Sequence, residues 1–226
     1  MSVSHWLRQD STVLDDRDWV VIGAGATGLC AGIALAAAGE DALILERDAI
    51  GRRASTRNAG YLMRGAADNY YLACEQYGRE RAKELWKLTE HNLRTIREFG
   101  VESLASYQTR PSCLLAFDEG ELQELERSHT LLIEDGFESE WITSGNDAVW
   151  THGKPLAGLV NPNDGVCNPA ELIAMLRNRF GGDIREQSPV GELRFQPGHI
   201  EIVVPGGVIR AGRVIICTNA YARELG

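Results

Sequence analysis

Apolar and polar positions along the chain fall into two kinds of pattern, and together they predict a mixed α/β protein. Trp19-Val20-Val21-Ile22 is a short apolar run closed by Gly23, which reads as a buried parallel strand. Ala26 to Ala38 is rich in alanine and leucine, good helix formers, and Gly39 stands at the stop position. Ala42-Leu43-Ile44-Leu45 is a second buried run ending at Glu46, so Trp19 to Glu46 predicts a right-handed βαβ unit. A helical period returns from Arg79 to Phe99, where Ala82, Leu85, Trp86, Leu93, Ile96 and Phe99 share one face before Gly100.

Ser112 to Phe117 predicts a strand, Glu119 to Asp135 a second amphipathic helix stopped at Gly136, and Leu156 to Val160 another strand. Asn168-Pro169-Ala170-Glu171 joins a capping residue, a proline at the first helical position and a carboxylate three residues after the cap. It starts a helix running to about Phe180. Val190 to Phe195, His199 to Val204 and Val208 to Ile209 predict a meander around Pro197-Gly198 and Gly206-Gly207. Val214-Ile215-Ile216-Cys217 is then a buried returning strand. A first βαβ, a mixed middle and a returning strand imply two interleaved regions rather than beads on a string.

Composition acts mainly by exclusion. The net charge of −9 over 226 residues argues against nucleic acid as a partner, because phosphate backbones need a basic face. A pyrophosphate is still admissible, since backbone amides hold an anion inside an acidic protein. No run of about 18 apolar residues is present, so no membrane span is expected. Met1 to Asp18 has no apolar core and does not read as a secretory signal. Cys30, Cys74, Cys113, Cys167 and Cys217 are scattered without a C-x-x-C pair, which suits reduced thiols in a cytoplasmic protein and gives no zinc pattern.

Candidate chemistry begins at Gly23, Gly25 and Gly28, a G-x-G-x-x-G directly after a strand and at the opening of a helix. The first glycine makes the tight turn, the second lets backbone approach a pyrophosphate, and the third lets helix pack on strand. The helix amino terminus offers unpaired N–H groups and partial positive charge to phosphates. Ala24, Ala26 and Thr27 fill the same loop, and Glu46 ends the second strand, where a carboxylate accepts hydrogen bonds from ribose hydroxyls. That carboxylate disfavours a 2′-phosphorylated nucleotide. The motif alone does not separate NAD from FAD.

Past Glu46 and Arg47 the sequence resembles the D-amino-acid oxidase-like family of FAD-dependent amine and amino-acid oxidoreductases, in the branch of glycine oxidase, sarcosine oxidase and gamma-glutamylputrescine oxidase. The resemblance rests on Ser4-His5-Trp6-Leu7, Ile50-Gly51, Ala54-Ser55-Thr56-Arg57-Asn58-Ala59-Gly60, Asp164-Gly165 with Pro169, and Cys217-Thr218-Asn219-Ala220-Tyr221. It implies a Rossmann-like FAD-binding domain with an interleaved, incomplete α+β substrate domain. The implied division is 1–75 and 164–226 for the FAD-binding parts and 76–163 for the substrate or cap region. It also implies that Ala54 to Gly60 passes beside the pyrophosphate and the isoalloxazine ring. Ser55 and Thr56 then either bond a phosphate or cap the following helix. Arg57 is a pyrophosphate partner, a group near the flavin face, or a solvent-exposed side chain.

Asn58 lies where some relatives tether a histidine to the flavin, so the resemblance implies non-covalent FAD. Val190 matches a position whose backbone meets the adenine, or is a plain strand residue. Thr218 and Asn219 match a turn closing over the cofactor, or an ordinary turn. Arg53 replaces a usual glycine, which would strain the turn if it needs positive φ. The implied reaction is oxidation of the C–N bond of a small amine or amino acid. No catalytic acid or base emerges: His91, His129 and His152 read as ordinary helix or loop residues, and Trp86, Trp141 and Trp150 as packing. Family members continue well beyond the Thr218 turn, so a missing carboxyl-terminal half or a partner subunit is expected, with an exposed apolar edge near Val214 to Cys217. A non-catalytic flavin-binding subunit and an NAD-dependent dehydrogenase are the rival readings.

Overall fold

The parallel strands predicted around the glycine turn form the centre of a six-stranded sheet. The structure is a computed structural model that describes residues 12–143 and 155–225. Ser4-His5-Trp6-Leu7, Trp150 and His152 lie outside the described residues. In chain order the elements are β1 (Val13–Ile22), α1 (Ala26–Ala37), β2 (Ala42–Leu45), β3 (Tyr61–Leu62), α2 (Tyr70–Tyr77), α3 (Arg79–Glu98), β4 (Gln108–Thr109), β5 (Ser112–Ala116), α4 (Glu119–Glu134), β6 (Glu140–Thr143), β7 (Ala157–Asn161), β8 (Gly165–Val166), α5 (Pro169–Phe180), β9 (Asp183–Arg185), β10 (Glu192–Gln196), β11 (His199–Val204) and β12 (Gly207–Ile216).

They divide into two compact units, residues 1–58 with 169–226 and residues 59–168. The boundaries fall at 58/59 and 168/169, whereas the sequence suggested 75/76 and 163/164. The difference has a local cause. Tyr61–Leu62 and Gly165–Val166 pair as β3 and β8, and the Cys167 N–H donates to the Gly60 carbonyl at 3.0 Å. Both ends of the inserted unit are thereby tied to each other.

In the first unit the strand order is β10-β11-β12-β1-β2-β9. Strands β12, β1, β2 and β9 run parallel, and β10, β11 and β12 form the antiparallel meander. Val20, Ile22, Leu43, Leu45, Ile202 and Ile209 form its buried core. Helix α1 packs tightly: a Cβ added at Gly32 would lie 2.8 Å from the Phe180 ring and 2.9 Å from Ile44 Cδ1. That glycine lets α1 approach both α5 and the sheet.

Three sequence expectations change here. β1 begins at Val13, not Trp19, because its charged half pairs with β12 over Val13↔Val208 to Arg17↔Ala211. Its charges are compensated at the sheet end, where Arg17 Nε meets Asp15 at 3.1 Å and Arg17 Nη2 meets Asp183 at 3.0 Å. The predicted runs Val208–Ile209 and Val214–Cys217 fall on one strand, β12, which ends at Ile216, one residue short of Cys217; only the polar pattern of Arg210 to Arg213 separates them. The exposed edge expected near Val214 is present in part. One side of β12 pairs with β1 as far as Ile216, but the β11 ladder stops at Ala211. No described strand covers the rest, and Ile216 is 46% exposed.

The second unit has two small antiparallel sheets, β3-β8-β4 and β5-β7-β6. Its core gathers Tyr70, Trp86, Leu125, Leu132, Phe137 and Leu159, with Trp141 packed against it. The Tyr70 and Trp86 rings lie 4.9 Å apart. His91 is exposed, while His129 Nδ1 is 2.9 Å from Ser139 Oγ. Helices α2 and α3 are tied to the carboxyl end of α4 by a polar hub: Asp135, the residue after α4, accepts from Tyr70 Oη at 2.8 Å, Arg79 Nε at 2.9 Å and Lys83 Nζ at 3.1 Å. The Arg79 hydrogen bond, partly opposed by burial, holds the Asp135 carboxyl down to about 2. None of the five cysteines forms a disulfide, and no helix among the described residues is long and apolar enough to cross a membrane.

Candidate functional site

The site grows from the turn between β1 and α1. Gly23 has φ +103°, and an added Cβ would sit 2.7 Å from the Cys217 carbonyl, so only glycine fits where the β1 and β12 ends meet. Gly25 caps α1 with φ −78° and offers no side-chain hydrogen bond. A Cβ there would lie 2.7 Å from Ser55 Oγ, which accepts from the Ala26 N–H at 3.1 Å. Gly28 is buried, and a Cβ would lie 1.8 Å from the Gly23 carbonyl. The three glycines therefore do different things: turn, open approach, and helix packing.

Glu46 joins two loops. Its Oε2 accepts from the Ala24 N–H at 2.9 Å and its Oε1 from the Asp48 N–H at 3.0 Å. A carboxylate has about four acceptor sites, so it retains capacity for ligand hydroxyls. Around this turn lies a cavity of about 220 Å³. Gly23, Gly25, Ala26, Thr27, Glu46, Arg47, Ala54, Ser55, Val190, Thr218 and Asn219, all singled out in the sequence, line it. Glu46 is the sole carboxylate among its described lining residues, whereas Arg47 and Arg53 bring positive charge, a local reversal of the chain's acidic balance.

The remaining sequence candidates sit elsewhere. Ala24 is buried and contributes its N–H to Glu46. Ala54–Thr56 forms a single 3-10 turn, and Thr56 Oγ1 bonds back to the Gly51 carbonyl. Thr56, Arg57 and Asn58 do not line the cavity. Arg57 is exposed, and the Asn58 amide donates to the Ala54 and Ser55 carbonyls at 3.2 and 3.1 Å. Ala59 and Gly60 belong to the second unit. Arg53 adopts φ −116° and its Nε bonds Asp48 at 2.6 Å, so the arginine that replaces a glycine strains nothing.

Sequence reasoning passed over Ser188, Cys217 and Tyr221 as lining groups. The Arg47 guanidinium lies 4.6 Å above the Tyr221 ring. The Tyr221 N–H bonds the Thr218 carbonyl at 3.1 Å, and Asn219 takes φ +52° in that turn. An aromatic two residues past the left-handed Asn219 was the available signal. Burial raises the Cys217 thiol above its ordinary range. Thr218 Oγ1 is buried with no hydrogen-bond partner, an orphan that costs free energy until an acceptor or donor reaches it.

A strand, a glycine turn and a helix, with a cavity at the carboxyl ends of parallel strands, define a dinucleotide-binding α/β protein. The chain belongs to the FAD dependent oxidoreductase family DAO, whose model it matches over residues 18–226. It is 33% identical over 219 residues to gamma-glutamylputrescine oxidoreductase of Escherichia coli, covering 90% of this chain and 49% of that protein. It is 26% identical over 220 residues to the probable oxidoreductase OrdL of Haemophilus influenzae, covering 93% and 50%. Glycine oxidase from Geobacillus kaustophilus superposes with a TM-score of 0.74 at 22% identity, covering 94% of this chain and 58% of that one. The chain thus spans about half the length of these two curated relatives, and a quarter of a third, 4-methylaminobutanoate oxidase of Paenarthrobacter nicotinovorans, to which it is 26% identical over 215 residues. FAD is the cofactor of the family.

The residues present fit the ADP half of such a cofactor. The unsubstituted face at Gly25, the orphaned Thr218 hydroxyl and the lone carboxylate of Glu46 meet around one cavity.

Proposed function

We propose that this chain binds FAD non-covalently and serves an enzyme that oxidises the C–N bond of a small amine or amino acid. The observation that carries the reading is the cavity at the Gly23–Gly28 turn, with Glu46 on one side and the unpartnered Thr218 hydroxyl on the other. Glu46 holds the adenosine ribose. The Ala26 and Thr27 amides and Ser55 face the pyrophosphate at the positive end of α1. Arg47 and Arg53 add positive potential, and Val190 borders the adenine. Thr218 and Asn219 close the cavity from the β12 side. Ala54 to Gly60 leads towards the isoalloxazine end, and Asn58, an amide, offers no nucleophilic ring for a covalent tether.

Bound FAD would supply the hydride-accepting chemistry that oxidation of a C–N bond requires, and the imine product would hydrolyse in water. The chain's own part is to orient the cofactor and exclude water from it. Names among the relatives support the substrate class, since they include 4-methylaminobutanoate oxidase and gamma-glutamylputrescine oxidoreductase. The coverage of no more than half of each of these longer relatives, and the uncovered stretch of β12 after Ala211, favour a second reading: a flavin-binding part that acts only with further polypeptide.

The test is spectroscopic. Purified protein given FAD should retain it through gel filtration and release it intact on denaturation. Anaerobic addition of small amines and N-methyl amino acids should bleach the oxidised-flavin bands. Retention without bleaching selects the second reading, and a protein that never retains FAD refutes both.

A further inference from the structure

A side-chain contact spans the nucleotide cavity from one wall to the other. Strands β2 and β12 flank β1, and neighbouring strands stand about 4.8 Å apart, so the ends of β2 and β12 are separated by roughly 10 Å. Long side chains are needed to close that distance. Arg47 comes two residues after the end of β2, and Tyr221 stands beyond the Thr218 turn that follows β12. The Arg47 guanidinium lies 4.6 Å from the centroid of the Tyr221 ring, and both residues line the cavity. Their contact therefore joins the β2 wall to the β12 wall past the end of β1, within one compact unit of the chain.

The backbone is held at both ends, while the contact between them is weak. The Glu46 and Asp48 carbonyls on either side of Arg47 accept from the Ser188 and Gln187 N–H groups at 2.9 and 3.1 Å. The Glu46 carboxylate accepts in addition from the Asp48 N–H at 3.0 Å. At the other end the Tyr221 N–H donates to the Thr218 carbonyl at 3.1 Å, in the turn where Asn219 has φ +52°. Tyr221 is 42% exposed, so its contact with Arg47 is bathed by water. A cation–π contact at an exposed site changes an equilibrium constant by only about two- to fivefold. The two side chains can part by rotamer changes alone, with neither backbone moving.

We propose that Arg47 and Tyr221 form a strap across the cavity that parts to let the cofactor enter or leave. The inference rests on the FAD reading of this cavity and adds to it a control on exchange. A strap obstructs passage in both directions, so it slows entry and release alike and leaves the affinity nearly unchanged. Tyr221 is the end to alter, because Arg47 also contributes positive potential near the phosphates.

The experiment follows FAD binding to the full chain by stopped-flow flavin fluorescence at a series of FAD concentrations. The slope of the observed rate against concentration gives entry, and the intercept gives release. Tyr221→Leu keeps apolar bulk but removes the aromatic face. Its slope and intercept should both rise about two- to fivefold, with their ratio, the Kd, within about twofold of the wild-type value. Tyr221→Ala should behave in the same way, and Tyr221→Phe, which keeps the ring, should restore both wild-type rates. The Tyr221 to Thr218 hydrogen bond is made by backbone, so all three variants retain it, and urea unfolding without FAD should place them close to the wild type. Unchanged rates in Tyr221→Leu overturn the strap and leave the FAD reading standing. A rise in the intercept alone, with Kd rising in step, makes Tyr221 a direct cofactor contact and overturns the strap too. So does a Tyr221→Phe that behaves like Tyr221→Leu. A wild-type protein that binds no FAD overturns both readings together.

Discussion

Replacing Gly25 and Gly28 separately by alanine separates the nucleotide contact from the packing contact. At Gly25 the backbone has φ −78°, which alanine adopts without strain. The new methyl would lie 2.7 Å from Ser55 Oγ, the end of a short side chain that can rotate away. Rotation sacrifices the Ser55–Ala26 hydrogen bond, about 1 kcal/mol, and alanine is a poorer cap than glycine by roughly 0.5–1 kcal/mol. Gly25→Ala should therefore lose only about 1–2 kcal/mol of stability in the absence of FAD. The methyl also occupies the face where a pyrophosphate oxygen would meet backbone N–H groups. Loss of one such charge-assisted bond, about 1.5–3 kcal/mol, raises the Kd for FAD roughly 10- to 100-fold.

At Gly28 the methyl would lie 1.8 Å from the Gly23 carbonyl, a backbone atom that cannot move without displacing the turn. The helix-propensity gain of about 1 kcal/mol is outweighed by overpacking of about 3 kcal/mol or more. Gly28→Ala should be destabilised even without cofactor. Urea unfolding of the apoprotein and titration of FAD by flavin fluorescence measure the two quantities. If Gly25→Ala binds FAD as the wild type does, the pyrophosphate does not lie over that residue and the assignment of the cavity fails.

Three other expectations follow from particular contacts. Glu46→Gln keeps one acceptor but turns an NH2 towards either the Ala24 or the Asp48 N–H, so apoprotein stability should fall by about 1–3 kcal/mol and FAD affinity with it, read by the same two assays. Asp135 is held down to about 2 from an ordinary 3.8 and its side chain is 7% exposed, so its ionisation contributes roughly 2 kcal/mol that is fully present above about pH 4 and lost as the pH falls through about 2. In chemical denaturation across that range, the difference between wild type and Asp135→Asn should shrink on acidification; a constant difference refutes the assignment. Arg53→Gly should not stabilise the protein, because φ is already negative there, and an increase in melting temperature would show strain where none is expected.

What the sequence made legible was whatever is repeated locally. The βαβ turn shows itself through glycine spacing within a few residues, and α3, α4 and α5 through apolar period and caps. The polar half of β1 escaped because Val13 to Asp18 has no buried face of its own; its pairing with β12 supplies the order. β9 is three residues long and is fixed by its ladder to β2. α2 escaped because Tyr70 and Ala73 bury against distant residues rather than on a periodic stripe, with Asn69 accepting from the Leu72 N–H as its cap. At the site, Glu46 was readable as the end of a strand, but its grip on the Ala24 and Asp48 amides was not. Ser188 and Tyr221 reach the cavity only through the closing of the sheet, and no short-range pattern encodes that.

The pairing of β3 with β8 bears on how the chain reaches its native order. β2 and β9 are neighbours in the sheet, yet the inserted unit separates them in sequence. Bringing two strands together across a flexible loop of that length costs roughly 2 kcal/mol more than across a loop of about ten residues. When the inserted unit folds first, the Tyr61–Leu62 and Gly165–Val166 ladder clasps its ends and the long loop becomes a short one. The insertion then acts as a kinetic staple for the nucleotide-binding sheet, and substitutions that loosen this two-residue ladder should slow assembly of a domain in which they have no place.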